Sequence, residues 1–173
     1  LTQQKADISY AALTAFCRKH GIGYEAPKPK GRYHFEPGQE MQHDTSPHDV
    51  HIGGALRRVQ TASLVPCYSR RLFFQFYPRF TRFECKVFLN DAAQYHDGTC
   101  QFCMIDNTHV VVLRGTGKQM VPVPEMEAFS RRLNFTFIAH EKGDANRSAR
   151  VEGPFHFIEN YFLAGRQFAD FAD

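Results

Sequence analysis

Three carboxylates in this sequence occupy positions suited to phosphoryl-transfer chemistry. Asp44 closes the stretch Met41-Gln42-His43-Asp44, Asp106 closes Met104-Ile105-Asp106, and Glu152 opens the last amphipathic run, so the three are spaced 62 and 46 residues apart (44 to 106, then 106 to 152). Taken singly, a carboxylate at a strand end is ordinarily a solvated turn residue. Carboxylates brought within about 4–6 Å repel and raise one another's pKa unless a cation neutralises them. Hard divalent cations suit such oxygen ligands, Mg²⁺ being held by one or two carboxylates plus substrate phosphate oxygens. Two such ions about 3.5–4 Å apart activate an attacking oxygen and stabilise a leaving one.

Other residues near these positions have two readings each. Asn107 follows Asp106 and either orients a water or DNA backbone or stabilises its turn. Lys142, Arg147 and Arg150 precede Glu152 in a charged stretch, where they suit either solvent or phosphates. His156, four residues past Glu152, shares a helical face with it and could reach a phosphate or cap an exposed face. His43 neighbours Asp44 on a strand, so it should point to the opposite face and pack rather than ligate. Arg57, Arg58, Arg70 and Arg71 are available to a DNA surface, whereas Phe73, Phe74, Phe76, Phe80, Phe83 and Phe88 read as core. Cys100 and Cys103 have CxxC spacing without a second pair to complete a zinc site. They lie in Thr99 to Ile105, which reads as a buried strand, so they are expected to act as small hydrophobes.

The elements that must position the carboxylates follow from pattern. Ile8 to His20 reads as a short amphipathic helix with Arg18-Lys19-His20 in its last turn and Gly21 as its stop. One helix cannot bury its own face, so this is expected to be the end of a larger domain. Residues 22–39 are rich in Pro and Gly, with basic Lys28, Lys30 and Arg32, and read as a linker that could touch phosphates. Strands are expected at Glu40–Asp44, Val59–Cys67 and Leu72–Tyr77, with Thr45-Ser46-Pro47 ending the first. A helix over Phe80–Tyr95 stops at Asp97-Gly98. A strand over Phe102–Ile105, a helix over Pro124–Leu133 and a strand over Phe135–Ala139 follow. His140–Arg150 reads as a mobile loop, and Val151, Phe155, Ile158 and Phe162 form one stripe of a last helix that ends at Gly165. This order gives an α/β layer structure, a mixed sheet flanked by helices. The first and fourth strands, joined through a helix, can lie parallel and adjacent, which would place Asp44 and Asp106 together at their carboxyl ends.

Composition bounds the possibilities. At 173 residues, the length suits one main domain and a fragment of a second, and 43% hydrophobic content excludes disorder by composition. No apolar run approaches the roughly 20 residues of a membrane span, and the start does not read as a signal peptide. Five cysteines, an odd number, fit a reducing compartment. A net charge of +3 permits a nucleic-acid partner without requiring one.

Five ordered segments carry a family resemblance. They are Phe35-Glu36-Pro37-Gly38-Gln39-Glu40-Met41-Gln42-His43-Asp44, Tyr68-Ser69-Arg70-Arg71 followed by Phe73, Ile105-Asp106-Asn107, Ala149-Arg150-Val151-Glu152-Gly153-Pro154-Phe155, and the run Asn160 to Phe168. In these the chain resembles IstA-type insertion-sequence transposases, whose DDE catalytic core is of the retroviral-integrase kind. The resemblance implies an RNase H-like fold with a mixed five-stranded sheet, and a DDE transposase activity of DNA strand cleavage and strand transfer. It implies Asp44, Asp106 and Glu152 as catalytic residues and ligands of two Mg²⁺ (or Mn²⁺) ions. It further implies transposon ends and target DNA as partners, a homo-oligomer on DNA, a helper AAA+ ATPase, no membrane, and a bacterial cytoplasmic, nucleoid-associated setting. By the same resemblance, residues 1–21 end a helix-turn-helix DNA-binding region, 22–39 are the linker and 40–173 the catalytic core. Two rivals remain open: an RNase H-like nuclease with the same chemistry, and a catalytically decayed DNA-binding remnant. Thr45 stands where an aromatic commonly follows the family's first aspartate, and Pro154 requires the last helix either to begin near Val151 or to bend.

Overall fold

The computed structural model describes residues 9–23, 34–106, 108–140 and 153–171. The chain divides into two compact units, Leu1–Tyr33 and His34–Asp173. In the first, α1 spans Tyr10–His20 rather than starting at Ile8. The reason is local: the Ser9 hydroxyl accepts from the Ala12 N–H at 3.2 Å, and Gly21 ends the helix in the left-handed region. None of its residues is buried. Most of the following linker, with Lys28, Lys30 and Arg32, lies outside the described residues.

The second unit is built on a five-stranded mixed sheet ordered β3-β2-β1-β4-β7. Its strands are β1 (Glu40–Ile52), β2 (Ala55–Pro66), β3 (Phe73–Tyr77), β4 (Phe102–Ile105) and β7 (Thr136–Ala139); β5 (Val112–Arg114) and β6 (Val121–Pro122) form a separate small hairpin. β1, β2 and β3 pair antiparallel, whereas β1, β4 and β7 run parallel. The mixed five-stranded sheet and the parallel β1–β4 neighbours match the expectation from sequence. Two details do not. β1 does not stop at Thr45-Ser46-Pro47 but continues to Ile52, paired with β2 throughout. Beyond His43 it has no β4 partner, so Pro47 sits in a stretch with an open edge, where a missing N–H is tolerated. The β5–β6 hairpin falls in a region that reads as loop, because its strands are too short to show alternation.

Two helices cover one face of the sheet. α2 (Arg82–His96) is started by a capping box, in which the Thr81 N–H donates to Glu84 Oε2 at 2.8 Å, and is ended by Asp97 in the left-handed region. α3 (Pro124–Arg132) begins with proline in its first turn. Beneath them Met41, Leu64, Cys85, Phe88, Cys103, Ile105, Met126 and Phe137 form the main core. Cys100 and Cys103 are buried as free thiols, in line with their reading as small hydrophobes. Phe83 departs from its core assignment: it is 67% exposed, on the outer side of α2.

The opposite face is covered by α4, a helical run over 153–162 whose second half, Ile158–Phe162, is wound as a π-helix. Pro154 is the second residue of the described part of this run. A second small cluster, Val50, Ile52 and Val59 with Phe76, Leu163 and Phe168, closes beneath its far end. Residues 141–152, including Lys142, Arg147, Arg150 and Glu152, lie outside the described residues, as does Asn107.

Candidate active site

The register of the two central strands brings two carboxylates together. The last parallel pair is His43 with Ile105, so Asp44, inside β1, and Asp106, just past the end of β4, are each the next residue after the parallel pairing stops. Paired residues share a face and the following residues share the other. Asp44 and Asp106 therefore lie on the face opposite His43 and Ile105, and both line one open cavity of about 460 Å³.

The environment of Asp44 is fixed on its own strand. One oxygen, Oδ1, accepts the Thr45 N–H at 2.7 Å, which orients the carboxylate. Burial pushes its pKa up to about 6, opposed by that hydrogen bond and reinforced by the negative charge of Asp106. Desolvation combined with a like charge in a cleft is the pattern of functional carboxylates.

His43 forms the floor behind this site. Its Nδ1–H donates to the Ser63 carbonyl at 2.9 Å, and its ring packs against Phe80 and Phe88 with centroids 5.8 and 5.1 Å apart. Burial lowers its pKa to about 4, so near neutral pH the ring is uncharged. The Cys85 thiol lies 3.9 Å from Nε2 and is pushed up to about 12 by burial, so it stays protonated. His43 is a packed residue, as its place on the strand predicts.

Gln60, Arg79, Thr108 and His109 are further polar residues of the lining. Sequence reading did not single them out. Arg79 and His109 follow a turn and a strand end where no local pattern marks them, and Gln60 reaches the cavity through the β1–β2 register. Of the other residues weighed, His156 is exposed and tied along its own helix, where the Asn160 amide donates both to its Nδ1 at 3.1 Å and to its carbonyl at 2.9 Å. Arg58 pairs with Asp49 at 3.2 Å, and Arg71 lies 4.1 Å over the Tyr95 ring.

The donor set suits a divalent cation: two hard carboxylates side by side, one of them destabilised as an anion by burial and by the other. Among the described residues no three His, Cys, Asp or Glu side chains converge on one metal position. The sequence-assigned third carboxylate, Glu152, is outside those residues.

Solved structures share this architecture. Over 71% of the chain and 68% of the other, the HTLV-2 integrase catalytic core domain in complex with magnesium superposes with a TM-score of 0.54 at 13% identity. The fold is that of integrase catalytic cores. The BIV integrase catalytic core matches over 73% of this chain and 70% of its own, with a TM-score of 0.50 at 13% identity. A simian T-cell lymphotropic virus intasome in complex with PP2A regulatory subunit B56 gamma matches over 90% of this chain, with a TM-score of 0.60 at 18% identity. The present chain spans 54% of that neighbour's length. No protein-family model matches the sequence, and comparison with curated proteins finds no match. Among the described residues no helix is long and apolar enough to cross a membrane.

Proposed function

We propose that this chain carries the catalytic core of a DDE transposase of IstA type, which cuts transposon ends and joins them to target DNA. The observation that carries the reading is the juxtaposition of Asp44 and Asp106, each directly after the last parallel pair of β1 and β4, lining one cavity in an integrase-core fold. Asp44 and Asp106 would hold divalent cations, Mg²⁺ or Mn²⁺, with Glu152 as the third carboxylate. When bound, such ions neutralise the carboxylates and the phosphodiester and activate the attacking oxygen. The chain's own residues orient and screen. The Thr45 N–H holds Asp44 in place, the neutral His43 floor keeps a competing charge out, and Arg79 and His109 at the rim offer donors to a phosphodiester.

In the same reading, Lys28, Lys30, Arg32, Asn107, Lys142, Arg147, Arg150 and His156 contact DNA, α1 ends a helix-turn-helix region, and residues 22–39 link it to the core at 40–173. The working form is a homo-oligomer on DNA assisted by a helper AAA+ ATPase, in a bacterial nucleoid.

The test is a nicking and strand-transfer assay on supercoiled and end-mimicking DNA, with Mg²⁺ or Mn²⁺, comparing the parent with Asp44→Asn and Asp106→Asn. Each substitution should abolish product, a loss of about 10³-fold or more by analogy with the several kcal/mol such electrostatic stabilisation supplies. Divalent-dependent activity that survives Asp106→Asn would show that the site is assigned wrongly.

A further inference from the structure

His48 interrupts the apolar face of β1. Val50 and Ile52, its neighbours on the same face, are buried aliphatics, and an aliphatic at 48 would continue the pattern. The imidazole is instead 3% exposed and carries polar contacts on both nitrogens. Its Nδ1 lies 2.6 Å from Thr61 Oγ1 on β2, and its Nε2 lies 3.1 Å from Glu159 Oε1 on α4. The carboxylate approaches off the line of the Nε2–H, so the contact is close without being an aligned hydrogen bond. The Thr61 hydroxyl can both donate and accept, so it can serve Nδ1 in either ring tautomer. Phe155, one turn earlier on α4, packs its ring 5.8 Å from the imidazole. Burying a histidine costs free energy unless its polar atoms are matched. Here Nδ1 is matched by the Thr61 hydroxyl, while Nε2 has only the off-line Glu159 carboxylate beside it, so the ring touches two other elements.

The placement along the strand gives this joint its consequence. His48 is four residues beyond Asp44 on the same face, about 13 Å along β1 at about 3.3 Å per residue. The strand that holds the first carboxylate thus also holds α4, which is described from residue 153 onward. Glu159 sits in the π-wound turn, where the Leu163 N–H bonds back to the Ile158 carbonyl at 2.8 Å. Such wide turns rotate the side chains that follow them and are frequent at functional sites.

We propose that His48 is a positioning residue, which seats α4 on the Asp44 face of β1 through Thr61 and Glu159 and thereby fixes the register of that helix against the strand that carries Asp44. The positioning role rests on the function proposed above, while the seat itself does not. The test uses the whole chain and two readouts: hydrogen exchange followed by mass spectrometry, and the divalent-dependent nicking assay. His48→Phe keeps the ring volume and removes both polar contacts. It should raise exchange in peptides covering 153–163 by about tenfold or more, leave β4 peptides unchanged, and lower kcat about 10–100-fold, the range seen for residues that orient metal ligands. His48→Gln, whose amide can still bridge a hydroxyl and a carboxylate, should recover most of both effects, which a role in packing alone would not allow. Unchanged exchange at 153–163, or a rise shared equally by β4, overturns the seat. Loosened α4 with undiminished nicking overturns the positioning role. If the parent shows no divalent-dependent cleavage, the proposed function fails, and the exchange result still decides the seat.

Discussion

On one face of β1, Met41 and His43 are closed beneath α2 and touch Phe88, Leu64 and Ile105; on the other, Glu40, Gln42, Asp44, Ser46 and His48 follow one another before the apolar pair Val50 and Ile52. Even the histidines differ. His43 is held by the Ser63 carbonyl of the neighbouring strand and closed in by the Cys85 thiol and aromatic rings, whereas His48 meets a hydroxyl of its neighbouring strand and a carboxylate of α4. The closed face supplies stability and a rigid backbone. The polar face gives up some of that burial so that carboxylates can stand beside a helix. A strand with period-two alternation can do both at once, because each side chain answers to one face only.

The sharpest way to break this contrast is to empty each side in turn. Phe88 is fully buried at the centre of the closed face, in ring contact with His43, Phe73, Tyr77 and Phe80. Phe88→Ala should cost about 3–5 kcal/mol, measured by chemical denaturation, and should act on the whole second unit. Ile158 is as completely buried, beneath α4. Ile158→Ala should cost less in global stability and instead loosen 153–163 locally, because α4 lies over a small cluster rather than the main core. Equal global losses for the two would mean that α4 is as integral to the core as α2.

A smaller effect separates the faces by pH. His43 has its pKa lowered by burial to about 4 from 6.5, so its stabilising neutral form is fully present above about 6.5 and that contribution is lost as pH falls toward 4. Asp44 behaves oppositely. Its pKa is raised to about 6, so its contribution is present below the ordinary carboxylate value and lost as pH rises through 6. Thermal melts without divalent ions should show His43→Gln flattening the decline of the parent between pH 6.5 and 4. They should also show Asp44→Asn melting higher than the parent at pH 7, at about 2–4 °C for each kcal/mol regained. A site residue whose removal stabilises the fold is the usual signature of function held at a cost in stability.

Much of this contrast is legible in the sequence. The apolar run Phe102–Ile105 ending in Asp106, and the helix between it and Asp44, suffice to predict two parallel strands with adjacent acidic ends. Asp97-Gly98 and Pro124 mark helix ends through fixed backbone preferences. What escapes has physical reasons. Ser46 and Pro47 read as a turn because edge tolerance for proline depends on which neighbour strand is missing, a tertiary fact. Phe83 reads as core because six phenylalanines lie close in sequence, yet helical rotation turns that one outward. His48 gives only a faint signal, an even offset from Asp44 interrupting an apolar alternation, and its partner Glu159 is 111 residues away in sequence, between positions 48 and 159. Glu152 is expected from the family resemblance, and it lies outside the described residues.

The thiols offer the finest probe of the comparison, because one of them lies on the closed face against the cavity. Cys85 lines the cavity behind His43 yet is fully buried, and burial raises its pKa to about 12; Cys103 is buried beside it, with its pKa raised well above the usual thiol range. The thiolate is the reactive form, so both should resist iodoacetamide at pH 8 while Cys17, partly exposed on α1, is alkylated. Mass mapping after timed labelling would show this order. Disturbing the polar face with His48→Phe should leave Cys85 as unreactive as in the parent, since α4 packs on the other side of the sheet. Phe88→Ala should make it accessible, because that ring closes the layer in which Cys85 sits. Cys85 labelling in His48→Phe at the rate seen in Phe88→Ala would mean that the two faces open together and that β1 does not insulate one from the other.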